Sequence, residues 1–247
     1  VAWVASSQAK PAYYAAGPGR LRDWWTLLHP PFTAWHLAYV VLGAAIAPEV
    51  RLSRLLAAVG AFFLAVGIAA HALDEWQGRP LRTSIPSWLL IAATVAGLAG
   101  AVGLGAFGVT QVGWGLIPFM IIGPLLVIGY NAELFGGVIH TDLGFAVAWG
   151  GFPALTGYVG QTGRLAVAPV IMAAAATALS LGQRHLSTPA RMLRRRTSVV
   201  SGTITLTTGD EITLDAARLL EPLERALRSL SWGIVLLAAA VATARLA

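Results

Sequence analysis

Seven stretches of this chain, at about residues 33–48, 55–73, 87–108, 113–135, 143–160, 165–183 and 231–246, are apolar almost without interruption. A helix of about 20 such residues covers the roughly 30 Å hydrocarbon core of a bilayer, where a backbone satisfies its polar groups only as a helix or in a closed barrel. The runs are rich in Ala, Leu and Gly and lack the alternating pattern of a barrel strand. They predict an all-α, polytopic transmembrane bundle of about seven spans. Composition agrees, because 57% of the residues are hydrophobic and 11% charged, against about 25% charged in an ordinary soluble domain.

The net charge is +6. In a soluble chain that surplus would suggest nucleic acid; here the positive-inside rule accounts for it, and no nucleic-acid partner is expected. With a cytoplasmic N-terminus, thirteen basic residues fall on that side: Lys10, Arg20, Arg22, Arg79, Arg82, Arg184, Arg191, Arg194, Arg195, Arg196, Arg218, Arg225 and Arg228. Only Arg51, Arg54, Arg164 and Arg245 fall on the other. The expected location is therefore the cell membrane, with the N-terminus and the polar motifs facing the cytoplasm. The chain has no cysteine, which excludes disulfides, iron–sulfur clusters and thiol catalysis.

Four segments follow. Residues 1–32 read as an N-terminal interfacial segment, 33–183 as the bundle with its polar site, 184–230 as a basic cytoplasmic insertion, and 231–247 as a C-terminal transmembrane helix. Within the insertion, RHLSTPARMLRRR suits anionic headgroups, and VVSGTITLTTGDEITL alternates about a Thr-Gly-Asp turn as a hairpin does. DAARLLEPLERALRSL opens on an Asp cap and repeats its leucines at helical spacing, so it reads as an amphipathic helix. A lone hairpin is marginal in water, so this one is expected to lean on the bundle or a partner chain.

Two polar clusters could carry chemistry. In HALDEWQGRPLRT, His71, Asp74 and Glu75 share one helical face at spacings i, i+3 and i+4, where a cation could collect them. The plain alternative is a helix end whose acids pair with Arg79 or Arg82. The second cluster, GYNAELFGGVIHTDLGF, holds Tyr130, Asn131, Glu133, His140 and Asp142 and falls at the same end of the bundle. Acids from two helices with arginines nearby would suit a hard cation and a phosphorylated ligand. Histidine and carboxylate ligands from two helices would suit iron, manganese or zinc. His29 precedes two prolines and reads as a turn residue, and His36 as a buried histidine bonded to a neighbour.

Together WWTLLHPPFTAWHLAYVVLGAAIAP, HALDEWQGRPLRT and GYNAELFGGVIHTDLGFAVAWGGFPALTGY resemble the UbiA-type intramembrane prenyltransferases, over about residues 20 to 185. The best-matching piece is Gly78-Arg79-Pro80-Leu81. The resemblance implies a UbiA-like bundle of up to nine spans that moves a prenyl group from a prenyl diphosphate to a lipophilic or aromatic acceptor with Mg²⁺. It implies Asp74, Glu75 and Tyr130 as catalytic residues, and Arg79, Arg82, Asn131 and Trp76 as substrate contacts. His71, Asp74, Glu75, Glu133, His140 and Asp142 form the candidate metal set. The chain departs from the family where a second Asp motif should follow the sixth span, since QRHLSTPARMLRRR has no acid. Three readings stay open: a prenyltransferase with arginines in place of the second metal, a His/carboxylate metalloenzyme, and a silent relative binding a lipid, quinone or pigment, as a subunit of a membrane complex. Isoprenoid and anionic membrane lipids are the expected partners.

Overall fold

The structure, a computed structural model, describes residues 3–4, 10–17 and 19–247. The beginning of the 1–32 segment, residues 1–2 and 5–9, lies outside the described residues. Most of each apolar run falls on one helical rod. They are α2 (Pro30–Ala45), α3 (Leu52–Trp76), α4 (Ser87–Val112), α5 (Trp114–Asn131), α7 (142–162), α8 (Val167–Arg195) and α9 (Ala216–Leu246). Two short helices complete the set, α1 (Arg20–Leu27) before α2 and α6 (Leu134–Gly137) after α5. Five rods, α3, α4, α5, α8 and α9, are long and apolar enough to cross a membrane by length and composition. The protein is an all-α membrane bundle.

Adjacent rods pack in a consistent pattern: α2 lies against α7 and α9, α3 against α4 and α5, and α8 against α7 and α9. The α2–α7 crossing is close because glycine stands on both helices. A Cβ at Gly43 would lie 1.9 Å from the Ala154 carbonyl oxygen, and one at Gly157 would lie 2.1 Å from that of Val40. Lipid offers no hydrophobic drive for helix pairing, so close backbone approach at small residues supplies it through van der Waals contact. Trp35, Tyr39 and Leu42 of α2 fill the space beside Ala154, Ala173, Ala176 and Ile234.

Two rods carry π-helical turns, Phe63–Ala70 in α3 and Val147–Gly151 in α7. Such turns leave carbonyls out of the regular ladder and recur at functional sites. Both π segments supply a carbonyl to a histidine: Trp149 O lies 2.7 Å from His36 Nδ1, and Gly67 O 3.2 Å from His71 Nδ1.

The 184–230 segment, expected as a basic cytoplasmic insertion, joins the bundle helices at both its ends. Its first part continues α8 to Arg195 without a break, since Arg, Leu, Met and Ala are good helix formers and Pro189 only interrupts one hydrogen bond. Its last part begins α9, with Asp215 capping the Arg218 N–H at 2.7 Å, and runs on to Leu246, so the expected boundary at residue 231 falls inside a helix. The hairpin is present: β3 (Gly202–Thr205) pairs antiparallel with β4 (Glu211–Leu214), with Ile204 opposite Ile212. β3 is exposed throughout, whereas β4 alternates between exposed and half-buried residues. Two further strands pair where none was expected, β1 (Trp3–Val4) with β2 (Val199–Val200).

Candidate functional site

The loop after α3 shows what the first polar cluster does. Glu75 is fully buried, and its carboxylate accepts from Leu81 N–H at 2.9 Å, Thr83 N–H at 2.8 Å and Thr83 Oγ1 at 2.9 Å. The loop turns through residues of positive φ, Arg79 (54°) and Arg82 (56°), so its amides converge on one anion. The Arg79 guanidinium donates to the carbonyl of Ile85 and, at 2.8 Å, to Ser87 Oγ. Glu75 and Arg79 therefore hold the loop, Glu75 through the donors of Leu81 and Thr83 and Arg79 through the acceptors of Ile85 and Ser87. Arg82 and Trp76 are exposed, and neither lines the cavity described next.

That cavity lies where the N-terminal segment, α2, α3, α8 and α9 meet. Asp74 lines it together with Arg191, Arg194 and Arg195, and with His29, His36, Tyr13, Tyr14, Phe145, Gln183 and Glu224. Arg194 is paired with Glu224 through two hydrogen bonds, the NH2–Oε2 one at 2.8 Å. Glu224 is 6% exposed, so this is a nearly buried, bidentate pair that ties α8 to α9. Arg195 donates to the Pro11 carbonyl at 3.0 Å, and Arg191 makes only a 3.3 Å contact with Thr188 Oγ1 among the described residues. Counting the three arginines against Asp74 and Glu224, the walls carry a formal +1. A positive wall in a partly enclosed space attracts an anion.

The second cluster does not enter this cavity. Tyr130 is 5% exposed, stacks on His140 at 4.4 Å and meets Trp149 edge-on, and its hydroxyl has no partner among the described residues. Phe145, 6.1 Å from its ring, is the link to the cavity wall. His140 Nδ1 bonds to the Tyr130 carbonyl at 2.9 Å, and Asn131 Nδ2 donates back to Val127 O at 2.8 Å. Glu133 is 65% exposed and 3.9 Å from His140, and Asp142 accepts from Arg184 Nε at 2.7 Å. His71 stacks on His29 at 4.3 Å. Among the described residues no three His, Asp or Glu side chains come together as a metal could hold them. The six-residue metal set is thus split among the cavity (Asp74), a loop anchor (Glu75), two separate ring stacks (His71 and His140) and the surface (Glu133 and Asp142), and it does not fit a metal centre.

Several residues here were missed in the sequence. His29 reads as a turn residue and indeed caps α2 with φ 46°, but it also lines the cavity, with Nδ1 2.6 Å from the Tyr14 hydroxyl. Arg191 and Arg195 read as part of a surface run, and only the helical continuation of α8 turns them inward. Spacing held a signal, because Ser187, Arg191, Arg194 and Arg195 recur at i, i+4, i+7 and i+8, one helix face. A second cleft opens toward the other end of the bundle, lined by Ala57, Ala61, Ala65, Gly105, Met120 and Phe152. Apart from Arg54 its walls are uncharged, so it suits hydrocarbon and offers no reacting group.

No protein-family model and no curated protein matches the sequence. Among solved structures, a UbiA homolog from Archaeoglobus fulgidus, bound to Cd²⁺, is similar to this chain at 15% identity. The match covers 91% of this chain and 85% of that one, with a TM-score of 0.52. The bundle has the UbiA fold.

Proposed function

We propose that this membrane protein binds a prenyl diphosphate with the diphosphate in the positive cavity, and that prenyl transfer to a lipophilic or aromatic acceptor is the reaction this placement serves. One observation carries the reading: Arg191 and Arg195 line a cavity whose third arginine is already neutralised by Glu224. Guanidinium groups suit phosphate oxygens because their planar fork makes two parallel, charge-assisted hydrogen bonds. In transfer, the allylic C–O bond breaks and its electron pair leaves with the diphosphate. The two arginines oppose the charge that develops there, and the acceptor forms the new bond and gives up a proton. No step is assigned to a metal, because Glu75 is engaged by its loop and Asp74 is the cavity's one carboxylate not already paired with an arginine.

A role in binding without turnover is favoured by that same scarcity of carboxylates, and one experiment separates the two. Farnesyl diphosphate binding is measured with and without Mg²⁺, and product is sought with a phenolic acceptor. Arg191→Gln and Arg195→Gln should each weaken binding by about tenfold to a hundredfold, as expected for a lost charge-assisted bond. Asp74→Asn should leave binding equal or tighter, since it removes a negative charge beside the anion. Loss of binding in Asp74→Asn, with Mg²⁺ required in the parent, would show a metal site and sink the arginine reading. Binding without product would establish the silent role.

A further inference from the structure

The headgroup reading leaves polar atoms of the same cavity unused. His29 Nε2 and Gln183 Oε1 are both buried without a partner among the described residues, and Gln183 is only 4% exposed. Buried polar groups are nearly always bonded, so these two atoms and the Tyr13 hydroxyl, a third of the same kind on the same cavity wall, call for an occupant.

The hydrogen bond on the far side of the imidazole fixes which proton it carries. Tyr14 Oη is 2.6 Å from His29 Nδ1, and a phenol is a far stronger acid than a neutral imidazole N–H. Tyr14 therefore donates, Nδ1 accepts, and the single proton of neutral His29 sits on Nε2. Burial, reinforced by His71, Arg195, Arg191 and His36, holds the His29 pKa well below its ordinary value. Burial also raises that of Tyr14, so both groups stay in the neutral forms this arrangement needs. The ring is held firmly: it stacks on His71 with 19° between planes, and its backbone has φ 46°, a conformation costly for a residue other than glycine. Strain of this kind persists where the surroundings over-determine a side chain's position, often at a ligand site.

We propose that His29 Nε2–H and Gln183 Oε1 form a neutral subsite for a hydroxyl group on a lipophilic molecule. The hydroxyl oxygen accepts from His29, and its hydrogen is donated to Gln183. A carbonyl would satisfy only the donor, and an anion would be drawn to the arginines. Tyr14 and Phe32, edge-on at 5.6 Å, and Phe145 near His36 give this part of the cavity aromatic walls suited to a phenol ring. Identifying this molecule as the prenyl acceptor rests on the diphosphate reading; the subsite itself does not.

The test uses the full chain in lipid nanodiscs with 4-octylphenol and its methyl ether, a pair that differs by one methyl group and in which only the phenol can donate. The wild type should bind the phenol about tenfold more tightly, as one buried hydrogen bond would give. Gln183→Met should reduce the phenol to the affinity of the ether, and His29→Phe should weaken phenol and ether together, because it removes the donor from which both oxygens accept. Tyr14→Phe should weaken it less and move the His29 ring resonances toward the other tautomer in ¹⁵N spectra. Equal binding of phenol and ether by the wild type overturns the subsite without recourse to any variant, as does a wild-type spectrum with His29 protonated on Nδ1. Farnesyl diphosphate binding is read separately in the wild type. Its absence beside a retained phenol preference would overturn the diphosphate reading and leave the hydroxyl subsite standing.

Discussion

The two ends of the bundle use arginine in opposite ways. At the end where α2 gives way to α3, Arg54 donates to the carbonyls of Gln161 and Gln111, each at 2.8 Å. Arg245 there donates to those of Ala47 and Pro48 at 2.7 and 2.9 Å. These carbonyls lie in or just beyond the last turns of α7, α4 and α2, where the helix dipole is negative, so each guanidinium closes a helix end. At the cavity end Arg194 is neutralised by Glu224, while Arg191 and Arg195 line an open space with few partners. Identical side chains thus serve structure at one end and remain available to a ligand at the other. A count of charges per side sees no difference between them.

The largest effect expected on that contrast lies in the loop anchor. Glu75→Ala should destabilise the protein by about 3 kcal/mol or more, because it strands the buried donors of Leu81 and Thr83. Asp74→Asn should change stability by about 1 kcal/mol or less and act on ligand binding instead. Similar melting temperatures for the two variants in detergent would remove the distinction between anchor and cavity carboxylate.

Next in size is the comparison of arginines. Arg54→Met should cost about 1–2 kcal/mol through the loss of two carbonyl contacts and leave diphosphate binding intact. Arg191→Gln should show the reverse, with stability within about 0.5 kcal/mol of the parent. Thermal melts and binding isotherms on the same two preparations check this. An Arg54 variant that loses ligand would place the site at the wrong end.

Acidification gives a smaller effect whose sign follows from His29. Its folded pKa lies below that of the unfolded chain, near 6.5, so above pH 6.5 both states are neutral there and no difference arises. Below pH 6.5 the unfolded state takes a proton that the folded state refuses, and stability falls as pH falls, by up to about 1.4 kcal/mol per unit. Denaturation midpoints at pH 7, 6 and 5 should fall in that order, and less steeply in His29→Asn. A parallel fall in both would show that other groups govern the slope. The smallest effect belongs to the surface pair: Asp142→Asn should change stability by about 1 kcal/mol or less, since Asp142 is 50% exposed and its link to Arg184 is screened by water.

Much of the fold was legible in the chain and less of the site. The rods were readable because span length and apolarity are local properties, and the Asp215 cap and the Thr-Gly-Asp turn were readable for the same reason. Spacing correctly put Asp74 and Glu75 side by side on α3 but could not say that Glu75 faces its own loop and Asp74 the cavity. That depends on where Leu81 and Thr83 return, which positive φ at Arg79 and Arg82 decides. The metal set failed for a related reason, since nearness in sequence does not bring ligands from two helices to one point.

The sequence by itself determined the solvent, the helical class, the helix ends that carry most of the positive charge, and the absence of thiol chemistry. Only the tertiary structure decided which polar and charged side chains meet in the cavity, because that is set by helix packing. Gly43 and Gly157 draw α2 onto α7, α8 continues past the apolar run, and the N-terminal segment brings Tyr14 to His29. A helix face has a period that a sequence displays, whereas the partner it meets is fixed by contacts more than a hundred residues away, such as Arg195 with Pro11.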